Sequence, residues 1–113
     1  KLSLQLIIDQ IHGFGGLVIA SHIDRERYSI ISQLGFIDPD VHLDALEVTH
    51  RTGFKDARMK YPELSGYPFI ESSDAHFIND IGQVATTIFL ERGTIPELKM
   101  AFRRQGGRYI QET

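Results

Sequence analysis

The residues of this chain best placed to do chemistry together are Asp74 and His76, in the run Ser72-Ser73-Asp74-Ala75-His76. On extended backbone a carboxylate and an imidazole two positions apart point to one side, where they can offer an oxygen and a nitrogen to a single ion. They directly follow the apolar stretch Tyr67 to Glu71, so they belong at a strand end. His22 stands in the same relation to the earlier run Leu17-Val18-Ile19-Ala20. In a parallel sheet the C-terminal ends of the strands share one rim, which would bring His22 to the Asp-x-His pair. Plainer roles compete: a histidine after a strand is commonly a polar loop residue, and Asp74 can cap a helical turn near Phe77. The sequence has no cysteine, so any metal must be held by His and carboxylate. That donor set suits Zn, Mn or Fe better than Ca, without choosing among them.

Other side chains around the expected rim are weaker candidates. Arg25 and Arg27 follow His22 closely and can grip a phosphate through bidentate contacts; equally, they are solvated arginines on a helix face. His50 follows the apolar segment Leu43 to Val48 and is either a substrate contact or a loop histidine. Glu47, inside that segment, is a carboxylate that needs a partner, either pointing inward as support for the site or paired with Arg51. His12 and His42 fall at the opposite ends of the strands and read as structural. Arg103, Arg104 and Arg108 read as a solvated helix end complementing the helix dipole, and Phe36, Phe69 and Phe89 as core.

The elements that must position these residues follow from hydrophobic spacing. Leu4, Ile7, Ile8 and Ile11 recur at helical intervals and close on His12-Gly13. Leu17 to Ala20 is a continuous apolar run behind glycines, as a strand buried on both faces requires. A helix is expected over Arg25 to Leu34, a strand over Leu43 to Val48 and a short helix over Phe54 to Tyr61. Further strands are expected over Tyr67 to Glu71 and Ala85 to Leu90. A last helix runs through Phe102, with Thr94 as N-cap, Pro96 in the first turn and Glu97 completing a capping box. Strands alternating with helices imply a parallel α/β arrangement with right-handed crossovers. This pattern alone leaves an open sheet and an arc of a barrel both open.

Composition excludes several classes. With 113 residues and 42% hydrophobic content the chain can build one core. Twelve basic against 15 acidic residues leave a net charge of -3, without the basic footprint of a duplex-binding protein. No stable nucleic-acid complex is expected. No apolar run approaches the roughly 20 residues of a membrane span, and a cytoplasmic location is expected.

Two segments carry a family resemblance. Gly15-Gly16-Leu17-Val18-Ile19-Ala20-Ser21-His22 is similar to the segment of the polymerase and histidinol phosphatase (PHP) family in which a glycine pair and a hydrophobic strand deliver a metal-binding histidine. Ser73-Asp74-Ala75-His76 resembles that family's final Asp-x-His motif. The resemblance implies that residues 1–113 are the C-terminal portion of a single PHP-type domain, forming part of a distorted (β/α)7 TIM-like barrel with parallel strands. It further implies phosphoester hydrolysis at two or three divalent ions (Zn, Mn or Fe). His22, Asp74 and His76 would be metal ligands, with Asp74 and His76 in the catalytic role. The substrate would be a small phosphorylated molecule such as a nucleotide or histidinol phosphate. Two departures stand out. The family's opening H-x-H is absent, and Ile23 stands where proline commonly follows the histidine. Without the missing ligands this stretch alone is expected to be inactive, and uncovered strand edges would favour its self-association. The competing expectations are a non-catalytic PHP-like binding or regulatory module and an amidohydrolase-type enzyme acting on C–N bonds.

Overall fold

The computed structural model describes residues 3–113. Helix α1 (Leu4–Gly13) starts where the Ser3 hydroxyl accepts the Leu6 N–H at 3.2 Å, and it buries Ile8 completely. The glycine pair behind it has a steric cause. Gly15 lies at φ 78, and a Cβ on Gly16 would sit 2.8 Å from Cγ2 of Ile11. The chain therefore folds back tightly on the helix only because no side chain is there. Asp44 then joins helix end to strand start, accepting from the Val18 N–H and pairing with Nε2 of His12, both at 2.7 Å. The structural role expected of His12 is met, and its ring lies 5.0 Å from that of His42.

Strands β1 (Ile19–Ala20), β2 (Ala45–Glu47) and β3 (Phe69–Ile70) form a parallel sheet in that order, with Ile19 opposite Ala45 and Leu46 opposite Phe69. Helices α2 (Ile30–Leu34) and α3 (Gly53–Lys60) lie in the crossovers. The first is shorter than its apolar spacing suggests. Tyr28 adopts φ 60, which no helix accommodates, so the helix begins only at Ile30. Ser29 and Ser32 there exchange hydroxyl contacts in a capping box. Alternation along the strands gives the sheet two buried faces. Leu46, Val48 and Phe69 pack on one side with Ile8, Ile23, Phe54 and Leu64. Ala45 and Ile70 lie on the other, against Phe102, Ile110 and Ile88. Phe69 is fully buried, with the Arg58 guanidinium 3.7 Å from its ring centre.

The expected TIM-like (β/α)7 barrel is wrong for this chain. Strand β4 (Thr87–Phe89) does not extend the parallel sheet; it pairs antiparallel with β5 (Tyr109–Gln111), a strand the apolar pattern did not reveal. A parallel neighbour needs a crossover of a dozen or more residues, usually an α-helix. Between β3 and β4 there is only a single 3-10 turn at Ile78–Asp80. The chain instead returns alongside itself across a seam of hydroxyls. The Thr86 hydroxyl accepts from Glu71 N–H and donates to Glu71 C=O, both at 2.7 Å. The Ser73 hydroxyl does the same for Val84, both at 3.0 Å.

Helix α4 (Ile95–Phe102) has Thr94 as N-cap and Pro96 in its first turn, as expected, but only half the capping box forms. The Glu97 carboxylate accepts from Glu91 N–H and from Arg108 instead. Arg108 is thus not a solvated helix end: it pairs with both Glu97 and Glu91 at 2.8 Å. Its hydrogen bond holds the Glu97 carboxyl below the ordinary range, and Glu97 in return raises the guanidinium. Phe36 and Phe89, expected in the core, are largely exposed, Phe89 stacking on Tyr109 at 4.4 Å. Among the described residues, no helix is long and apolar enough to cross a membrane.

Candidate functional site

Three loops leave the C-terminal ends of β1, β2 and β3, and the acidic and imidazole side chains of interest lie on them. His22 follows β1 at φ 26, an unusual conformation for a residue with a side chain. Its backbone N–H donates to Oε1 of Glu47 at 3.1 Å, and the next N–H, that of Ile23, donates to the Glu47 carbonyl at 2.9 Å. Ile23 is buried and anchors the turn. The imidazole Nδ1 of His22 is buried without a hydrogen-bond partner, a costly state for a polar atom unless something binds it. The second oxygen of Glu47 accepts from the Ser72 hydroxyl. Of the two arrangements expected for Glu47, pairing with Arg51 is not found among the described residues; its carboxylate faces the β1 and β3 ends instead.

Asp74 lies at φ 48, so the extended presentation expected for Asp74 and His76 does not occur. The Asp74 carboxylate accepts from the Arg25 guanidinium at 2.9 Å. His76 folds back so that Nδ1–H donates to the Asp74 carbonyl at 2.6 Å. A carbonyl only accepts, so in the neutral ring this contact places the proton on Nδ1 and the lone pair on Nε2. Asp80, not Asp74, closes the following turn, accepting from the N–H groups of His76 and Phe77. A cavity of about 370 Å³ opens here, lined by Ser21, Glu47, Ser72, Ser73, Asp74 and Gly82. The donor types, one unpartnered imidazole nitrogen, one free imidazole lone pair and a carboxylate already holding a cation, suit a divalent ion of the Zn, Mn or Fe kind. Their positions do not close a site: among the described residues no three His, Asp or Glu side chains converge on a point where an ion would sit.

Arg25 and Arg27 border a second cavity of about 790 Å³ with Asp24, Tyr28, Arg51 and Thr49. Asp24 staples this loop to the one after β2. Its carboxylate accepts the Thr49 N–H at 2.9 Å and the hydroxyls of Thr49 and Thr52, each at 2.5 Å. Partial burial works to raise its pKa, and these hydrogen bonds together outweigh it, holding the carboxyl below its ordinary value. His50 does not join Asp74. Its Nδ1 meets Oε2 of Glu71 at 2.9 Å, and the pair lines a separate cavity of about 260 Å³ with Gly53, Thr86 and Gln111. Strand alternation explains the separation: Glu71 shares the face of Phe69, whereas Glu47 and Ser72 share that of Ile70. The buried Glu71 was not foreseen as a partner, although its place at the end of the apolar stretch Tyr67 to Glu71 was visible in the sequence.

Residues 59–105 match the family model described as PHP-associated. This stretch is similar to a PHP-associated region. The region runs from the last turn of α3 past the end of α4, and so contains β3, Asp74 and His76. His22, Arg25, Arg27 and His50 lie before it. A curated relative, "Uncharacterized protein YqxK" of Bacillus subtilis (strain 168), is 27% identical over 107 residues. That alignment covers 89% of this chain and 27% of the relative, so the chain spans about a quarter of that protein's length. No solved structure matches.

Proposed function

We propose that this chain supplies part of the active site of a PHP-type, metal-dependent phosphoesterase that acts on a small phosphorylated substrate such as a nucleotide or histidinol phosphate. The observation that carries the reading is the buried, unpartnered Nδ1 of His22, linked through Glu47 and Ser72 to the segment bearing Asp74 and His76. The PHP-associated region around Asp74 and His76 supports it. His22, Asp74 and His76 would hold divalent ions, which when bound lower the pKa of a coordinated water and offset charge on phosphoryl oxygens. Arg25 and Arg27 border the neighbouring cavity and offer planar, bidentate donors to a phosphate. Further donors would come from sequence outside this chain, and residues 1–113 alone are expected to hydrolyse little or nothing.

A non-catalytic PHP-like module is the second reading, favoured by the Arg25 guanidinium occupying the Asp74 carboxylate. Metal analysis of the full-length protein, with p-nitrophenyl phosphate turnover in wild type and Asp74→Ala, separates the two. Losing a group that merely supports a ligand costs roughly 10- to 100-fold, so loss of a direct ligand should reach or exceed the upper figure. Unchanged turnover in Asp74→Ala removes Asp74 from the mechanism. A metal-replete protein that cleaves only an amide substrate would instead favour amidohydrolase chemistry.

A further inference from the structure

The geometry points to Glu47 as the positioning residue of the site, a carboxylate that holds the His22 backbone in its left-handed turn and ties it to the segment carrying Asp74. The inference concerns the conformation of the chain and goes beyond the phosphoesterase reading, because it names what sets the relative placement of two loops that leave different strands, β1 and β3.

Three observations converge on this residue. First, a non-glycine residue at φ 26 is strained, and such strain persists only where surrounding contacts over-determine it. Beside the turn's own bond from the Arg25 N–H to the His22 carbonyl, two contacts here come from Glu47: Oε1 accepts the His22 N–H, and the Glu47 carbonyl accepts the N–H of Ile23. Second, the other carboxylate oxygen accepts from Ser72, two residues before Asp74, so one side chain at the end of the central strand touches both flanking loops. Hydrogen bonds to an ionised acceptor are about twice as strong as neutral ones, so both contacts gain from the charge. Third, Glu47 is half-buried and lines the same cavity as Asp74, yet no arginine or lysine forms an ion pair with it among the described residues. Its charge is answered by the donors of the two loops it joins. The contacts are directional: the His22 N–H is met only while the residue keeps its turn, which fixes the side from which the imidazole enters.

The test is amide hydrogen exchange by NMR on the 113-residue chain and three variants. In Glu47→Ala the His22 N–H should exchange at least about 10-fold faster, as expected when a protecting bond is lost without global opening. The amide signals of residues 72–76 should shift with it. The Ile23 N–H, held by the main-chain carbonyl of residue 47, should keep its protection, and Ile110 in β5 should be unaffected. Glu47→Gln should restore most of the protection, its amide oxygen accepting from His22 and its NH2 donating to the Ser72 hydroxyl. Ser72→Ala should shift residues 73–76 while His22 stays protected. Should Glu47→Ala fail to fold, the Gln and Ser72 variants still carry the test. The inference is overturned if His22 exchange is unchanged in Glu47→Ala, if it rises only in step with Ile110, or if Ser72→Ala leaves residues 73–76 unmoved. Because each readout is a backbone amide, the outcome is independent of phosphoester turnover, and either reading can fail without the other.

Discussion

Asp24 and Asp74 are both aspartates on rim loops, and their surroundings divide the work between stability and chemistry. Asp24 accepts three hydrogen bonds from Thr49 and Thr52, and these hold its pKa below the ordinary carboxylate value despite partial burial. A depressed folded-state pKa means the contribution is fully present above the unfolded value and is lost as pH falls through the folded one. Asp24→Asn should therefore lower the urea midpoint at neutral pH, and its deficit relative to wild type should shrink as the solution is acidified below pH 4 or so. Urea titrations followed by circular dichroism, at neutral and acidic pH, check this; a deficit that persists unchanged in acid would refute it. Among the described residues the Asp74 carboxylate is met by the guanidinium of Arg25, with side-chain exposures of 38% and 51%. Ion pairs at such exposure contribute about 0–1 kcal/mol, so Arg25→Ala should barely move the urea midpoint, and a loss of several kcal/mol would show the pair to be a structural support. The strand-end logic led to His22, Asp74 and His76 because each follows an apolar run directly. The hydrogen-bond partners of Glu47 and Glu71 were not legible in that way. Which neighbour each carboxylate meets depends on the registers Glu47 to Ile70 and Leu46 to Phe69, and no local pattern states a register.

The elements that announced themselves in sequence are those with a chemical start or stop. Helix α1 ends at its glycines and α4 begins at Thr94 because caps and steric necessity are local. Helix α2 was over-extended because apolar spacing continues through a residue, Tyr28, whose backbone leaves the helical region. Strand β5 was missed because Ile110 is its only buried residue. The same locality makes two substitutions predictable. Gly16→Ala would place a methyl 2.8 Å from the β-branched Cγ2 of Ile11 and 3.1 Å from its carbonyl oxygen, and the backbone carbonyl cannot give way as a flexible side chain does. Overpacking of this kind costs about 1–3 kcal/mol, read as a lower urea midpoint with an unchanged slope. Thr94→Ala removes the acceptor for the Glu97 N–H, a contact of 3.4 Å and hence a weak cap, so about 0.5 kcal/mol is expected, the low end of the capping range. A cost of 2 kcal/mol or more in the same denaturation assay would mean the cap is tighter than its geometry indicates.

At the scale of the whole molecule, the three-stranded parallel sheet has a larger core on one face and a smaller one on the other, the latter closed by α4, β4 and β5. The barrel expectation failed at the junction between these parts. Local pattern gives a strand its existence, but its direction here is set by a short return loop and by two hydroxyls that replace a backbone ladder. Ser73 and Thr86 each satisfy both the N–H and the C=O of the residue opposite. With three buried residues, Ala45, Phe102 and Ile110, in the smaller core among the described residues, the seam carries a substantial share of what binds α4, β4 and β5 to the rest. Thr86→Val keeps the shape and leaves two backbone groups of Glu71 without partners, at a cost of about 1–3 kcal/mol for each that water does not reach. The loss should fall unevenly. Amide exchange at Ile110 should accelerate well beyond that at Leu46, which sits in the central strand, because the smaller unit would open while the parallel sheet stays closed. Equal acceleration at both positions would mean that the chain opens as one cooperative block, with the seam as one contact among many.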